Sequence, residues 1–312
     1  MSKGVHRFAL FVAGATFFLI IAGANVTSRD AGLATSDWPL SNGQFFPKMV
    51  GNLYWEHGHR MIAASVGFLT IILAIYLQLR ERRSWVKRLG WTALGLVIVQ
   101  GLLGGLTVKM NLPLAVSSAH GTLAQLFFLT TVSLAVFTSR SWIDAPASMR
   151  ESSGGISLRS LCVASLVLIL AQLVLGATLR HSASWDQWLP TSLLIAHITG
   201  AIIVTLSLSV TAMTVFLRHR DEKFLTRPAA IALGLLFVQL MLGVAAYLTR
   251  AASPYDPQPL NPMITVTVSH VACGALVFAT TIVLTLRVFR VLRAEQQTRD
   301  VGVLAPVSEA RA

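Results

Sequence analysis

A chain of 312 residues that is 54% hydrophobic and 12% charged, with mean hydropathy +0.67, is too apolar for a soluble domain and reads as a polytopic membrane protein. Its formal net charge of +12 suits a nucleic-acid binder in amount but not in placement. The cations gather between alternate apolar segments, so they encode orientation, and no nucleic-acid partner is expected.

Eight apolar stretches are long enough to cross a hydrocarbon core of roughly 30 Å: residues 8–26, 59–79, 89–108, 114–137, 158–179, 190–217, 228–248 and 263–288. The first is too long, and its downstream flank too poor in small-residue cleavage signals, for a removed signal peptide. The loop after it, residues 27–55, contains Gly32-Leu-Ala-Thr-Ser-Asp-Trp-Pro-Leu40 and Gly43, and its Gly, Pro and aromatic content suggests an ordered cap. Trp38, Phe45, Phe46, Tyr54 and Trp55 suit a membrane interface equally well.

The second stretch opens with Glu56-His-Gly-His59-Arg60. Glu56 and His59 are three apart and share a helical face once the helix has begun. Of thirteen acidic residues, Glu56 alone lies beside a histidine of an apolar stretch. Such a carboxylate could shuttle protons or hold a water near a metal. It could equally be a helix-start charge favoured by the macrodipole. His57 points to roughly the opposite face, so it and His59 cannot bind one ion.

Further along, Gln100-Gly-Leu-Leu-Gly104 ends the third stretch, Gln172-Leu-Val-Leu-Gly176 the fifth and Gln239-Leu-Met-Leu-Gly243 the seventh. The first stretch carries a degenerate copy, Leu19-Ile-Ile-Ala-Gly23, without the Gln. Each copy is followed by a loop and then by a stretch with an early histidine: His59, His120, His197 and His270, at 40, 20, 25 and 31 residues from the motif start. Fixed ends with drifting loops indicate duplicated helix pairs. The expected organisation is an N-terminal four-helix half, 1–139, a cytoplasmic connector rich in Ser and Gly, 140–157, a C-terminal half, 158–293, and a polar, disordered tail, 294–312. Cys162 and Cys273 form no ligand spacing and read as small buried residues.

Lys3, Arg7, Arg80, Arg82, Arg83, Lys87, Arg88, Arg140, Arg150, Arg159, Arg218, Arg220, Lys223, Arg227 and five arginines from Arg287 onward share one side. That is 19 of 25 cations. The asymmetry places both termini in the cytoplasm and the four histidines in the outer leaflet. His120, His197 and His270 then lie six or seven residues inside their helices, about 10 Å deep, with His59 closer to its boundary. An ionisable side chain at such depth marks function. Two pairs, one per half, suit two irons each held between imidazoles from two helices, with haem the simplest chemistry. Gly58, Ala119, Gly121, Ala196, Gly200 and Gly274 would leave room for close packing or a flat ring. His6, His57, His181 and His219 are expected as surface residues, His181 in a loop beyond the fifth helix.

With Glu56-x-x-His59-Arg60, the Gly32–Leu40 loop motif and the later histidines in view, nearly the whole chain resembles the haem A synthase family. The resemblance implies two pseudo-symmetric four-helix halves. It implies that His59 and His120 flank the substrate haem O, that His197 and His270 hold a resident haem b, and that Glu56 occupies the family's functional acidic position. Arg60 enters as a haem-site residue on the same grounds. Haem A would be the product, made in the inner (plasma) membrane for terminal oxidases. The farnesyltransferase that makes haem O and an electron-transfer protein would be partners beside the lipid bilayer. Sequence leaves the oligomeric state open, a homo-oligomer included. Many bacterial relatives carry a cysteine pair in the first outer loop, where this chain has Thr35 and Ser41, so no thiol chemistry is available there; members without the pair also exist. A di-haem b electron-transfer protein would explain the histidines but not the asymmetric Glu56 and the ordered loop. A transporter would need charges near the midplane, and none is present.

Overall fold

The computed structural model describes residues 3–145, 156–182, 189–252 and 259–292. Among these, the chain is an all-α membrane protein with nine helices: α1 Lys3–Ser28, α2 Asn52–Arg80, α3 Ser84–Lys109, α4 Leu114–Phe137, α5 Arg140–Ile143, α6 Leu158–His181, α7 Thr191–Arg218, α8 Lys223–Ala251 and α9 Asn261–Val291. All but the single-turn α5 are long and apolar enough to cross a membrane, which matches the eight expected spans. Helices of 24 to 31 residues reach about 36 Å or more, beyond the hydrocarbon thickness. In lipid every backbone group must be paired within the segment, which is why helices carry the fold.

The helices are arranged as two rings. In one, α1 touches α2 and α4, and α3 touches the same two; in the other, α6 touches α7 and α9, and α8 touches the same two. The rings meet where α9 packs on α1 and α4, and α6 on α4. Ile20, Phe128, Ala275 and Ala279 form the apolar cluster at that seam. Arg180 of α6 also donates to Ser28 Oγ of α1 at 3.0 Å. Large apolar side chains such as Phe11, Phe18, Phe68, Leu206 and Phe237 face outward, as a lipid-facing surface requires.

Inside, several buried threonines bond to their own helix. Thr16, Thr70, Thr281 and Thr285 each donate to the carbonyl four residues back, and Thr131 to the one three back. Pro228 lies inside α8 and cannot donate to Phe224, and that orphaned carbonyl accepts from Arg287 Nη1 of α9 at 3.0 Å. Cys162 and Cys273 are buried and unbridged, and Cys273 Sγ donates to Leu235 O at 3.4 Å. Both behave as the small core residues expected of them.

Three boundaries differ from expectation. The second helix begins at Asn52 rather than His59, because Leu53, Glu56 and His57 pack inward and extend the helix by nearly two turns. His59 is therefore no shallower than the others. His181 is the last residue of α6 rather than part of a loop. The expected connector contains α5, capped by Ser139 Oγ accepting from Trp142 N at 3.2 Å. The rest of the connector, 146–155, and the tail from 293 onward lie outside the described residues.

Candidate functional site: four histidines at one end of the rings

The four histidines lie six to nine residues into α2, α4, α7 and α9, at the end of the bundle where α1, α3, α6 and α8 finish. One contact recurs at each. A Cβ built on Gly23 of α1 would meet His59 Cε1 at 3.0 Å, and one on Gly104 of α3 would meet His120 Cε1 at 3.0 Å. Gly176 of α6 stands likewise 2.9 Å from His197 and Gly243 of α8 3.1 Å from His270. Each ring is thus laid against the backbone of the preceding helix, at a distance only glycine tolerates without a shift.

The motif glutamines address the same histidines. Gln100 Nε2 donates to His120 O at 3.0 Å and lies 3.4 Å from its Nε2. Gln172 Nε2 donates to His197 O at 2.8 Å and lies 3.1 Å from its Nδ1. Gln239 Nε2 lies 3.2 Å from His270 Nε2. The Gln172 and Gln239 amides rest on Gly200 and Gly274, which explains those two small residues. Gly58 and Gly121 make no comparable close approach, so the packing role expected of them falls to the motif glycines instead.

Whether haem fits can be tested on these residues. Within each ring the two histidine-bearing helices stand diagonally: α2 is separated from α4 by α1 and α3, and α7 from α9 by α6 and α8. His59 lies within electrostatic range of His120. The rings of His197 and His270 are 6.4 Å apart, centroid to centroid. An imidazole binds a first-row metal at about 2 Å and its centroid lies about 1 Å behind the nitrogen, so two axial rings on one iron stand about 6 Å apart. The Nδ1 atoms of His59, His120 and His270 are buried without a hydrogen-bond partner. Buried nitrogens of that kind are costly unless a ligand completes them. The residues present fit a bis-imidazole haem.

Above the first ring lies the loop joining α1 to α2, and it is an ordered cap. Asn42 and Gly43, both with positive φ, turn the chain so that Ser41 and Gln44 pair. Arg60 Nη1 donates to Asp37 O (2.9 Å), Leu40 O (2.7 Å) and Ser41 Oγ (3.1 Å), while its Nη2 pairs with Glu56. Glu56, 4% exposed, also accepts from Thr35 N at 3.1 Å. Arg60, expected beside the haem, is seen holding this loop. His57 is no surface residue: its Nε2 donates to Phe45 O at 3.0 Å and its Nδ1 accepts from Ser41 Oγ at 2.8 Å. The loop folds back over it and buries it. His6 is likewise half-buried, its ring bonded to Ala135 O at 3.0 Å. At the loop's other side, the Trp38 indole lies flat on Gly105, where a Cβ would come within 2.6 Å. The sequence signal for both residues was the paired placement of aromatic and glycine, which has meaning only once the loop is known to reach α3.

Residues 48–188 match the family model described as "Cytochrome oxidase assembly protein". The chain is 28% identical to a haem A synthase of Symbiobacterium thermophilum over 77% of this chain and 85% of the relative. It is 22% identical to one of Bacillus licheniformis over 80% and 88%. A haem A synthase of Caulobacter sp. is 32% identical over 41% of this chain and 40% of its own length. With eight membrane-length helices, the chain is similar to haem A synthases over about four fifths of its length.

Proposed function

We propose that the protein is a haem A synthase, a membrane oxidoreductase that carries a methyl group of haem O through hydroxylation to the formyl group of haem A. The observation that supports this most is an asymmetry between two otherwise similar histidine pairs. Glu56 is the only carboxylate within helices α1–α9, and it stands one turn from His59. An electron-transfer protein with two permanent haems has no use for that difference.

In this reading His59 and His120 hold the substrate iron across the first ring. His197 and His270 hold haem b across the second. Haem b, when bound, supplies one-electron redox chemistry next to the substrate. The chain's own residues do the rest. His59 and His120 fix the porphyrin so that one methyl stays in register. Glu56, anchored by Arg60 and the Thr35 N–H, is the acid–base group for protons released as the methyl is oxidised. The capping loop, held by Arg60 and Trp38, excludes water from above. The two rings correspond to halves 1–139 and 158–293, with both termini cytoplasmic and the histidine end facing outward across the inner membrane. A haem O-producing farnesyltransferase and an electron-transfer protein are the partners this chemistry requires.

The test is to purify the protein after co-expression with a source of haem O and to identify its extracted haems by mass. Haem A beside haem b supports catalysis. Haem b alone, at two per chain with the haem O pool unchanged, replaces this reading with the electron-transfer one.

A further inference from the structure

The contacts between glutamines and histidines differ among the four sites, and the difference bears on how the haem reading above would operate. Gln100, Gln172 and Gln239 stand four residues before Gly104, Gly176 and Gly243, so amide and glycine share a helix face and meet the same histidine. In all three, Oε1 is buried without a partner while Nε2 approaches the ring. Amide oxygen and nitrogen exchange places by a half-turn of the terminal torsion. In Gln239, which is not bonded to the His270 carbonyl among the described residues, Oε1 accepts from a ring N–H after that half-turn; Gln100 and Gln172 keep their orientation and hold His120 and His197 through the main-chain carbonyl. A metal-bound histidine donates its second N–H to such an acceptor, which fixes the tautomer and orientation of the ring and raises its basicity.

On α1 the glutamine's place is taken by Leu19, four residues before Gly23. Asn25 and Thr27 nearby are bonded to their own helix, to Ile21 O at 3.0 Å and Gly23 O at 3.4 Å. His59 makes no side-chain hydrogen bond among the described residues, and its Nδ1 is buried. We propose that Gln100, Gln172 and Gln239 are positioning residues that hold His120, His197 and His270 as axial ligands, and that Leu19 leaves His59 the exchangeable ligand through which the first ring loads and unloads its haem.

The division suits a site that must release what it makes beside one that must not. Both ligands of the second ring are held by an amide; in the first ring only His120 is. Installing an amide on α1 converts the loading site into a retaining one, and removing one from α6 or α8 does the reverse.

The experiment uses the full chain in detergent, loaded with iron protoporphyrin IX. It follows haem transfer to excess apomyoglobin by absorbance, together with the low-spin bis-imidazole spectrum. Wild type is expected to lose haem in a fast and a slow phase. Leu19→Gln should slow the fast phase about tenfold. Gln172→Leu or Gln239→Leu should accelerate the slow phase about tenfold, and Gln239→Glu, which keeps an oxygen acceptor facing the His270 ring, should restore the slow phase lost in Gln239→Leu. A fast phase untouched by Leu19→Gln overturns the proposal. That variant adds a contact, so its outcome does not depend on whether the loss variants fold. A single phase in wild type overturns the proposal as well. Phases that shift as expected in a protein that forms no haem A leave the ligand assignment standing and sink only the catalytic reading.

Discussion

The two rings are built from the same parts and differ in what surrounds them. Each sets two histidines on diagonal helices, each ring of imidazole laid against a glycine of the helix before. The first ring adds Glu56, Arg60 and His57 on a single stretch of α2, all turned toward a loop that they tie down. The second ring instead has a glutamine on both of its histidines. In the proposed reading, one arrangement of helices thus serves proton traffic in one ring and holding in the other, with a few side chains around the histidines setting the task.

The strongest way to break this comparison is to remove ligands. If His197 and His270 hold haem b as proposed, His197→Ala or His270→Ala should strip it, whereas His59→Ala should leave it bound, as read from the haem content of the purified protein. Equal loss from all three would show that the rings are not distinct sites. Glu56→Gln should keep haem b and lower haem A formation by about 100-fold or more, the range of a positioned acid–base group. Unchanged output would remove Glu56 from the chemistry.

Arg60→Met tests the loop. It leaves the buried Glu56 carboxylate without its cation and frees three loop acceptors, so a loss of about 3 kcal/mol is expected in thermal unfolding. Glu56→Gln combined with Arg60→Met should recover part of that loss, since the orphaned charge is gone. Gly105→Ala should cost about 1–3 kcal/mol by driving the Trp38 indole off α3, and Trp38→Ala in the same protein should relieve the clash.

The smallest effect lies at the other end of the bundle. Burial pushes the Glu81 carboxyl up, but its bonds from Arg83 and from the N–H groups of Arg82 and Arg83 outweigh this and hold it below the usual carboxylate range. Its contribution is therefore complete above about pH 4.5 and is lost as pH falls through the lowered value. Glu81→Gln should lower stability by about 1 kcal/mol at neutral pH and change it little at pH values below the lowered one, so that the acid limb of the stability profile flattens.

Spans, histidines and the recurring glutamine–glycine motif are legible in the sequence because each depends on local spacing. The hydrophobic runs had to be helices, and an ionisable group inside one had to have a use. What escaped depends on contacts between segments distant in the chain. His57 looks like a loop-side histidine until Ser41 and Phe45 fold onto it. The start of α2 is masked because Glu56, His57 and Arg60 are polar in composition yet buried by the cap. The motif glycines are visible as letters, but their purpose follows only from the register in which α1 meets α2 and α3 meets α4. Gly58 and Gly121 were natural candidates because they adjoin the ligands in sequence, and adjacency in sequence turns a helix face away by 100°.

The inward threonines that bond back to their own helix have a mechanical consequence. In the first ring Thr16, Thr70 and Thr131 are all satisfied without reaching a neighbouring helix. Where α1 meets α2 and α4 at mid-height, contact among the described residues is by shape, like plain bearings, while Gln100 ties α3 to α4 at the height of His120. A wide, flat, greasy molecule can part the walls beside α1 sideways from the lipid more readily than the α3–α4 wall, where the Gln100 bond to His120 would have to break.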